Sequence, residues 1–158
     1  MLSHAQFEAM FRDHTQITPA HLLMGMMREH ESIAAEAMRN LGLSERALVL
    51  VLDNGPTEWT TGVIGETVLS IRSKKLLEHA VEQWRRLNHD QIGTAHILLG
   101  LCLEEEKFGS GILQTLGLAP TAVRTEVHVL FTKRGPERST TSRVSRFSSW
   151  VVARRRLK

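Results

Sequence analysis

Four histidines form two matched pairs, and imidazole is the side chain most often used for metal binding and for acid–base chemistry near neutral pH. His14 and His21 are seven residues apart, and His89 and His96 repeat that spacing. A metal site or an acid–base couple would use such pairs, but no Cys or carboxylate joins them at ligand spacing. The alternative is that each histidine lies in a turn or at a helix start and bonds to backbone atoms. We favour this alternative and predict no catalytic residues, no metal site and no cofactor.

The histidine pairs belong to an internal repeat. The segment His14–Met26 returns as His89–Leu101, at an offset of 75 residues, with seven of thirteen positions identical. The same offset aligns Leu41–Leu43 with Leu116–Leu118. A period of this length exceeds that of solenoid repeats. The pattern therefore predicts two copies of a small helical module packed against each other.

Apolar spacing and capping residues predict four helices in the second copy. The first helix is predicted over 70–88 with Ser70 as N-cap, and the second is capped by Thr94 and ends at the charged residues 104–107. The third is predicted over 109–116 and is ended by Gly117, and the fourth begins at Pro120. The first copy repeats this order. Its first helix is expected to be shorter, because Met1 aligns with Leu76.

The predicted architecture is all-α, with two tandem four-helix repeats related by pseudo-twofold symmetry and a basic C-terminal tail. The later helices of the first copy are predicted from Thr18–Pro19, over 33–41 and over 44–52. The expected boundaries are a first repeat over 1–53, a linker over 54–68, a second repeat over 69–132 and a tail over 133–158.

Charge, cysteine usage and hydropathy indicate the compartment. The net charge is +3, but residues 133–158 hold nine Lys or Arg against Glu137 alone, so an acidic body carries a basic tail. Cys102 is the only cysteine and lies in an apolar stripe, which is typical of a buried side chain in a reducing compartment. No apolar run approaches the ~20 residues that span a bilayer, and the first residues do not resemble a secretory signal. We expect a cytoplasmic protein.

The basic tail mixes arginine with serine and ends in an aromatic and aliphatic cluster. Its candidate contact residues are Arg143, Arg146, Trp150, Arg154, Arg155 and Arg156. Three functions fit: docking to an acidic partner, binding nucleic acid through phosphate contacts and stacking, and lying on a membrane surface. The other interpretation is a disordered, solubilising extension.

Two further clusters have alternative interpretations. The methionines Met24, Met26, Met27 and Met38 favour core packing over an adaptable peptide-binding groove, because their helical spacing matches Leu and Cys in the second copy. The run Glu104–Glu106 is expected to be a solvated helix end, with an acidic docking patch as the alternative.

The pattern His-x-x-Ile-Gly-Thr-x-His-Ile-Leu-Leu-Gly-Leu, followed by Leu-Gly-Leu, resembles the N-terminal repeat domain of the Clp AAA+ unfoldases, of the ClpA and ClpC type. The resemblance covers about residues 2–132, in both copies. It implies an all-α pair of four-helix repeats that docks adaptors and substrates without catalysis. No Gly-x-x-x-x-Gly-Lys-Ser/Thr phosphate loop occurs in the chain, so it is expected to resemble that domain without its ATPase rings.

One departure from the family pattern concerns the ligand. In the family a glutamate commonly precedes the second motif histidine and helps to hold the guanidinium of phosphoarginine. Alanine stands there in both copies, and it supplies no charge-assisted bond, which puts phosphoarginine binding in question. Ser70 falls where the family often has a threonine. The candidate partner-binding residues are Ser70, Lys74, Ala20, Ala95, Glu104 and Glu105.

The sequence thus predicts a non-enzymatic binding module that engages partners through the surface between its repeats. The resemblance implies Clp ATPase or protease components, adaptors or substrates, or a peptide-like small molecule as partners, with an accessory, adaptor or decoy role. The alternative is a nucleic-acid-associated protein that binds through its tail. The shortened first helix could expose apolar surface that drives dimerisation, so the sequence does not decide between a monomer and a dimer.

Overall fold

The computed structural model describes residues 1–54 and 67–137. In those ranges the elements are α1 (Leu2–Phe11), β1 (Gln16–Ile17), α2 (Pro19–Met27), α3 (Ile33–Asn40), α4 (Glu45–Asn54), β2 (Val68–Leu69), α5 (Ile71–Leu87), α6 (Thr94–Phe108), α7 (Ile112–Thr115) and α8 (Pro120–Arg134). Helices α1–α4 and α5–α8 form the two repeats, so the predicted all-α fold of two four-helix units is confirmed. None of these described helices is both long and apolar enough to cross a membrane.

Each repeat is built on a close contact between its first two helices. α1 packs on α2 and α5 packs on α6, and the glycine shared by the two motifs lies at the contact. A Cβ on Gly100 would lie 2.5 Å from the Leu76 carbonyl oxygen and 2.6 Å from the Ala80 nitrogen. A Cβ on Gly25 would lie 2.6 Å from the carbonyl oxygen of Met1, the residue equivalent to Leu76. Only glycine allows the helix backbones to approach this closely.

A continuous apolar core runs through both repeats. Met24, Met26, Met27 and Met38 are buried in it, so the core interpretation is confirmed and the groove alternative is wrong. Cys102 is fully buried in the same core, as predicted, and burial raises the pKa of its thiol to about 12. The thiol is therefore protonated and unreactive at neutral pH.

The helix starts agree in part with the sequence prediction. Ser70 caps α5, because its Oγ accepts a hydrogen bond from Ser73 N at 3.1 Å, and Pro120 begins α8 as expected. The prediction for Thr94 is wrong, because Gly93 is the N-cap of α6 and Thr94 is its first helical residue. The threonine hydroxyl is used elsewhere, as described below.

The helix ends show larger differences. α6 continues through the charged residues 104–107 to Phe108 and is capped by Gly109, whose φ is +73°. Since Gly109–Gly111 ends one helix and begins the next, α7 is a single turn and not the predicted helix over 109–116. Gly117 has a positive φ, as expected for a helix stop. α4 extends to Asn54, two residues beyond its predicted end.

A short parallel sheet, which the sequence did not predict, joins the two repeats. Gln16 pairs with Val68 and Ile17 with Leu69. The Ser73 hydroxyl of α5 donates a hydrogen bond to the Ile17 carbonyl oxygen at 2.7 Å. Strands of two residues show no alternation that a sequence pattern reveals. The sheet fixes the start of the second repeat against the first.

Candidate functional site

An open cavity of about 890 Å³ lies between the two repeats. One wall is formed by the start of α2 and the end of α4, which belong to the first repeat. The opposite wall is formed by the start of α5, the end of α6 and the turn of α7, which belong to the second repeat. Both copies of the module therefore contribute to one surface.

A histidine pair holds the start of α2 in the first wall. The Thr18 N–H donates to His21 Nδ1 at 3.0 Å, so His21 Nε2 carries the proton of the neutral ring and faces His14 Nδ1 at 2.9 Å. Burial is the main cause that lowers the pKa of His21 to about 4, and it also lowers the pKa of His14. Both rings are therefore neutral at neutral pH and shape the wall.

The second repeat contains the same arrangement. Gly93 N–H donates to His96 Nδ1 at 2.9 Å, and His96 Nε2 lies 2.9 Å from His89 Nδ1. Burial lowers the pKa of His96 to about 4, and the Phe131 ring packs on both imidazoles. These bonds confirm the helix-start interpretation for His21 and His96, whereas His14 and His89 precede the helices and bond to the imidazoles of that pair. In residues 1–54 and 67–137, no group of three or more His, Cys, Asp or Glu is arranged to hold a metal ion.

An ion pair between a partly exposed arginine and a buried glutamate stabilises the second wall. Glu104 is fully buried and accepts hydrogen bonds from Arg72 Nε and Nη2, both at 2.9 Å. Arg72 Nη2 also donates to the Ser110 carbonyl oxygen at 2.8 Å, and its guanidinium lies 5.1 Å from the centre of the Phe108 ring. The predicted solvated helix end is therefore wrong at Glu104, because its partner lies 32 residues upstream on α5.

The next glutamate organises α7. Glu105 is 3% exposed, and its carboxylate accepts hydrogen bonds from Leu113 N at 2.8 Å and Gln114 N at 3.3 Å. Burial is the largest influence on this carboxyl and raises its pKa. Only Glu106 of the three is exposed, and it pairs with Arg124 at 2.6 Å. The alternative of an acidic docking patch is wrong for Glu104 and Glu105, whose carboxylates point inward to partners within the chain.

The remaining lining of the cavity is largely apolar. Pro19, Leu50, Leu52 and Ile112 contribute to it, and Leu50 is 55% exposed. An apolar side chain placed against this surface would be stabilised by about 25 cal/mol for each Å² removed from water. The arrangement is suited to binding a side chain or short segment of another polypeptide.

The structure separates the predicted site residues. Ala20 and Glu105 line the same cavity. Ala95 and Ser70 are buried away from it, with Ser70 at 1% exposure and bonded to Ser73, and Lys74 is half-buried on α5. The predicted tail contacts lie outside the described residues: Arg143, Arg146, Trp150, Arg154, Arg155 and Arg156.

Sequence reasoning missed a carboxylate that contacts both repeats. Glu137, three residues after α8, accepts hydrogen bonds from Ile33 N at 2.6 Å and from Thr94 Oγ1 at 2.7 Å. The glutamate lies outside the internal repeat and 104 residues from Ile33. The only sequence feature that distinguishes Glu137 is that it is the single acidic residue in the basic segment 133–158.

Comparisons with known sequences agree with one another. The family model described as "Clp repeat (R) N-terminal domain" matches residues 1–116 and, a second time, residues 68–150. The ATP-dependent Clp protease ATP-binding subunit ClpC of Staphylococcus saprophyticus is 35% identical over 129 residues, which is 80% of this chain. The subunit of the same name from Staphylococcus aureus is 34% identical over the same length. The chain spans about 15% of the length of these relatives.

Solved structures show the same fold. The N-terminal domain of the caseinolytic protease associated chaperone ClpD from Arabidopsis thaliana has a TM-score of 0.63 at 20% identity, with 83% of this chain and 89% of that chain covered. The Hsp104 N-terminal domain from Candida albicans has a TM-score of 0.64 at 17% identity, with 86% and 88% covered.

Proposed function

Because this chain belongs to the Clp repeat (R) N-terminal domain family, we propose that it is a non-catalytic module that docks partner polypeptides in the cavity between its repeats. The cavity carries the proposal, since both repeats line it and much of its surface is apolar. A partner that inserts an apolar side chain there buries surface on both repeats at once.

The cavity favours a neutral group over a cation. Ala20 brings no charge to the helix start. Glu105, the one carboxylate among the described lining residues, is already used by two backbone N–H groups. A guanidinium would gain little in this cavity, because a strong bond to it requires an available carboxylate or phosphate. We therefore expect the docked segment to be apolar, with hydrogen bonds at its edge.

The proposed partners come from the Clp system. They are a Clp ATPase or protease component, an adaptor or substrate protein, or a peptide-like small molecule that uses the same surface. The chain would act as an accessory or adaptor, or as a decoy that takes up ligands of a larger Clp subunit. The proposed location is the cytoplasm, in keeping with the buried thiol of Cys102.

A capture experiment with matched variants tests the docking surface. Leu50→Glu places a charge in the cavity, and Val129→Glu places the same charge on α8, at a residue of 38% exposure that does not line the cavity. We expect the wild-type chain and Val129→Glu to recover Clp components from cytosol, and Leu50→Glu to recover at least tenfold less by quantitative mass spectrometry. Equal recovery by Leu50→Glu would place the partner elsewhere.

The tail sequence favours a second candidate, a nucleic-acid-associated protein. Nine Lys or Arg in residues 133–158 provide phosphate contacts, and Trp150 provides a stacking group. The test compares the full chain with a chain that ends at Glu137 for binding to single-stranded RNA at several salt concentrations. Tight binding by the full chain alone, with a steep loss of affinity in salt, would support this candidate over docking in the cavity.

A further inference from the structure

Helix α1 exposes three large apolar side chains to solvent. Phe7, Met10 and Phe11 are 58%, 59% and 74% exposed. The two phenylalanine rings stack on each other, with 6.1 Å between their centres and 19° between their planes. Residues three and four positions apart lie on the same side of a helix, so the three side chains are neighbours. Together they form a contiguous apolar patch, the α1 ridge.

The α1 ridge lies on a helix surface without charge. Glu8 is the only Asp, Glu, Lys or Arg in the helix, and it is 2% exposed and pairs with Arg12 and Arg28. The other exposed residues of α1 are Ser3 and Gln6, which are uncharged. A partner of this ridge is therefore bound by apolar contact and finds no exposed charge on α1 with which to form an ion pair.

The second repeat shows that the fold does not require an apolar ridge at this place. The offset of 75 residues aligns four exposed positions of α1 with four exposed positions of α5, and all four are charged in α5. The aligned pairs are Ser3 with Glu78, Phe7 with Glu82, Met10 with Arg85, and Phe11 with Arg86. The ridge is thus a property of the first repeat alone and is not needed for packing the helix pair.

A second copy of the chain is the partner that fits this ridge. Contact across a twofold axis places the same surface of both copies together, so that surface must be complementary to itself. The α1 ridge meets this requirement, because it has no charge that needs an opposite charge and its stacked rings can pack against further rings. The apolar residues of the tail match it less well. Arginines flank them at Arg146 and Arg154, and α1 has no exposed carboxylate to receive them.

The size of the ridge determines the strength of the contact. Side chains of this kind bury about 150–250 Å² each when fully covered, so the exposed parts of the three offer about 350 Å² in each copy. Two ridges in contact then bury about 700 Å², whereas stable complexes bury roughly 1,200 Å² or more. The area therefore indicates a weak contact, which dissociates at the low micromolar concentrations used in unfolding experiments.

We infer that the chain forms a weak homodimer in which the α1 ridges of two copies pack against each other across a twofold axis. Phe7 and Phe11 of one protomer contact the same two residues of its partner. The inference does not rest on the proposed function, because the ridge does not line the cavity between the repeats.

Charges placed on the ridge test this contact in the full chain. An acidic variant carries Phe7→Glu with Phe11→Glu, and a basic variant carries Phe7→Arg with Phe11→Arg. Both should fold, because α5 has charged residues at the equivalent positions. Ile71→Arg is the matched control, since Ile71 is an apolar residue of α5 that is 72% exposed. A tail variant with Phe147→Ser and Trp150→Ser removes the aromatic side chains of the tail.

Sedimentation equilibrium measures the average mass of each chain between about 5 µM and about 500 µM. We expect the masses of the wild type, Ile71→Arg and the tail variant to rise at least 1.4-fold over this range and to stay below twice the monomer mass. The acidic and the basic variant should each remain monomeric, because like charges would meet across the axis. An equimolar mixture of the two should regain the rise, since each ridge is then complementary to the other.

The inference is overturned if the wild type stays monomeric at the highest concentration, or if the charged ridge variants associate as strongly as the wild type. Loss of association in Ile71→Arg would assign the contact to α5, and loss in the tail variant would assign it to the tail. A mixture that stays monomeric, or a mass above twice that of the monomer, would show that the ridge meets a different surface of the second copy. Each of these results contradicts the twofold contact.

Circular dichroism at the lowest concentration establishes that the variants are folded. Should a double variant not fold, Met10→Arg decides the outcome, because it adds one charge beside the rings and leaves both of them in place. We expect this single change to weaken the association at least fivefold. An unchanged association would contradict the inference.

Discussion

His21 and His96 each use one ring nitrogen to accept a backbone N–H and the other to reach a second histidine. Both rings are almost fully buried. Protonation would place a hydrogen on the nitrogen that now accepts from the backbone, so the helix start would lose that bond. The native packing therefore requires neutral imidazole at both positions.

This requirement predicts lower stability in acid. The pKa of His21 and His96 is about 4 in the folded chain against 6.5 when unperturbed, so between these values the unfolded chain binds more protons. The contribution of the two neutral histidines to the free energy of unfolding is complete above pH 6.5. It is lost as the pH falls towards 4, by up to about 3 kcal/mol for each histidine. The raised pKa of Glu105 acts in the opposite direction. Urea unfolding at about pH 7.5 and about pH 5 measures the difference.

The exposed His30 offers a control for that experiment. His30→Gln should retain the full pH dependence. An unfolding free energy that is the same at both pH values would contradict the assignment of neutral rings.

Gly100 provides a second prediction at the residue scale. Gly100→Ala places a methyl group against the Leu76 carbonyl and the Ala80 backbone, which are parts of a helix and not flexible side-chain ends. We expect a loss of about 1–3 kcal/mol in the free energy of unfolding. Gln6→Ala, at an exposed position of α1, should change it by less than about 0.5 kcal/mol. Thermal or urea unfolding of the two variants checks the contrast.

At the scale of elements, the end of α6 shows why a charge run is hard to interpret. Glu104, Glu105 and Glu106 are consecutive, yet the first pairs with Arg72, the second holds the start of α7 and the third pairs with Arg124. A helix turns by about 100° for each residue, so neighbours face different surroundings. The sequence shows the charges but not which of them faces a partner on another element.

Adjacent glutamates therefore make a direct comparison. Glu105→Ala leaves the N–H groups of Leu113 and Gln114 without their acceptor, and we expect a loss of about 1–3 kcal/mol in stability. Glu106→Ala removes only an exposed ion pair, which is worth about 0–1 kcal/mol. Equal effects in denaturant unfolding would contradict the role of Glu105 in organising α7.

Helix α1 exposes apolar side chains at positions where its counterpart α5 has arginines. Met10 and Phe11 are 59% and 74% exposed, whereas Arg85 and Arg86 occupy the equivalent positions of α5. The substitutions Met10→Arg and Phe11→Arg introduce into the first repeat the residues found at the equivalent positions of the second. Because both side chains are largely exposed, we expect the unfolding free energy to change by less than about 0.5 kcal/mol. A loss of more than about 2 kcal/mol would show that these side chains are covered.

At the scale of the whole molecule, the two repeats form one structure. α3 of the first repeat packs on α8 of the second, and Arg134 pairs with Glu36 and donates to the Glu31 carbonyl oxygen at 3.0 Å. The parallel sheet and Glu137 connect the repeats at two further places. Loss of residues 133–137 should therefore destabilise the first repeat as well as the second.

Two shortened chains test this coupling. A chain that ends at Thr132 lacks Arg134 and Glu137, whereas a chain that ends at Glu137 keeps both. We expect the shorter chain to be less stable by about 2–4 kcal/mol, because two helix starts and an ion pair lose their partners. Unfolding monitored by circular dichroism compares them. Equal stability would show that the contacts of Glu137 and Arg134 contribute nothing to the fold.

Much of this architecture follows from local patterns. The order of helices and the bonds of His21 and His96 could be inferred because each depends on spacing within about twenty residues. The duplication could be inferred because its offset of 75 residues stays constant along both copies. The Arg72–Glu104 pair and the contacts of Glu137 could not, since they join residues 32 to 104 positions apart that no periodicity relates. The inter-repeat cavity depends on the same long-range packing.

The distance along the chain between Ile33 and Glu137 also has a consequence for synthesis. A ribosome adds about 5–20 residues each second and releases the N-terminal part first. Helix α3 therefore lacks α8, on which it packs, and Glu137, which accepts the N–H of Ile33, until nearly the whole described chain has emerged. The first repeat is complete as a sequence well before it is complete as a structure. A nascent chain halted between the repeats would present the apolar side of α3 to chaperones.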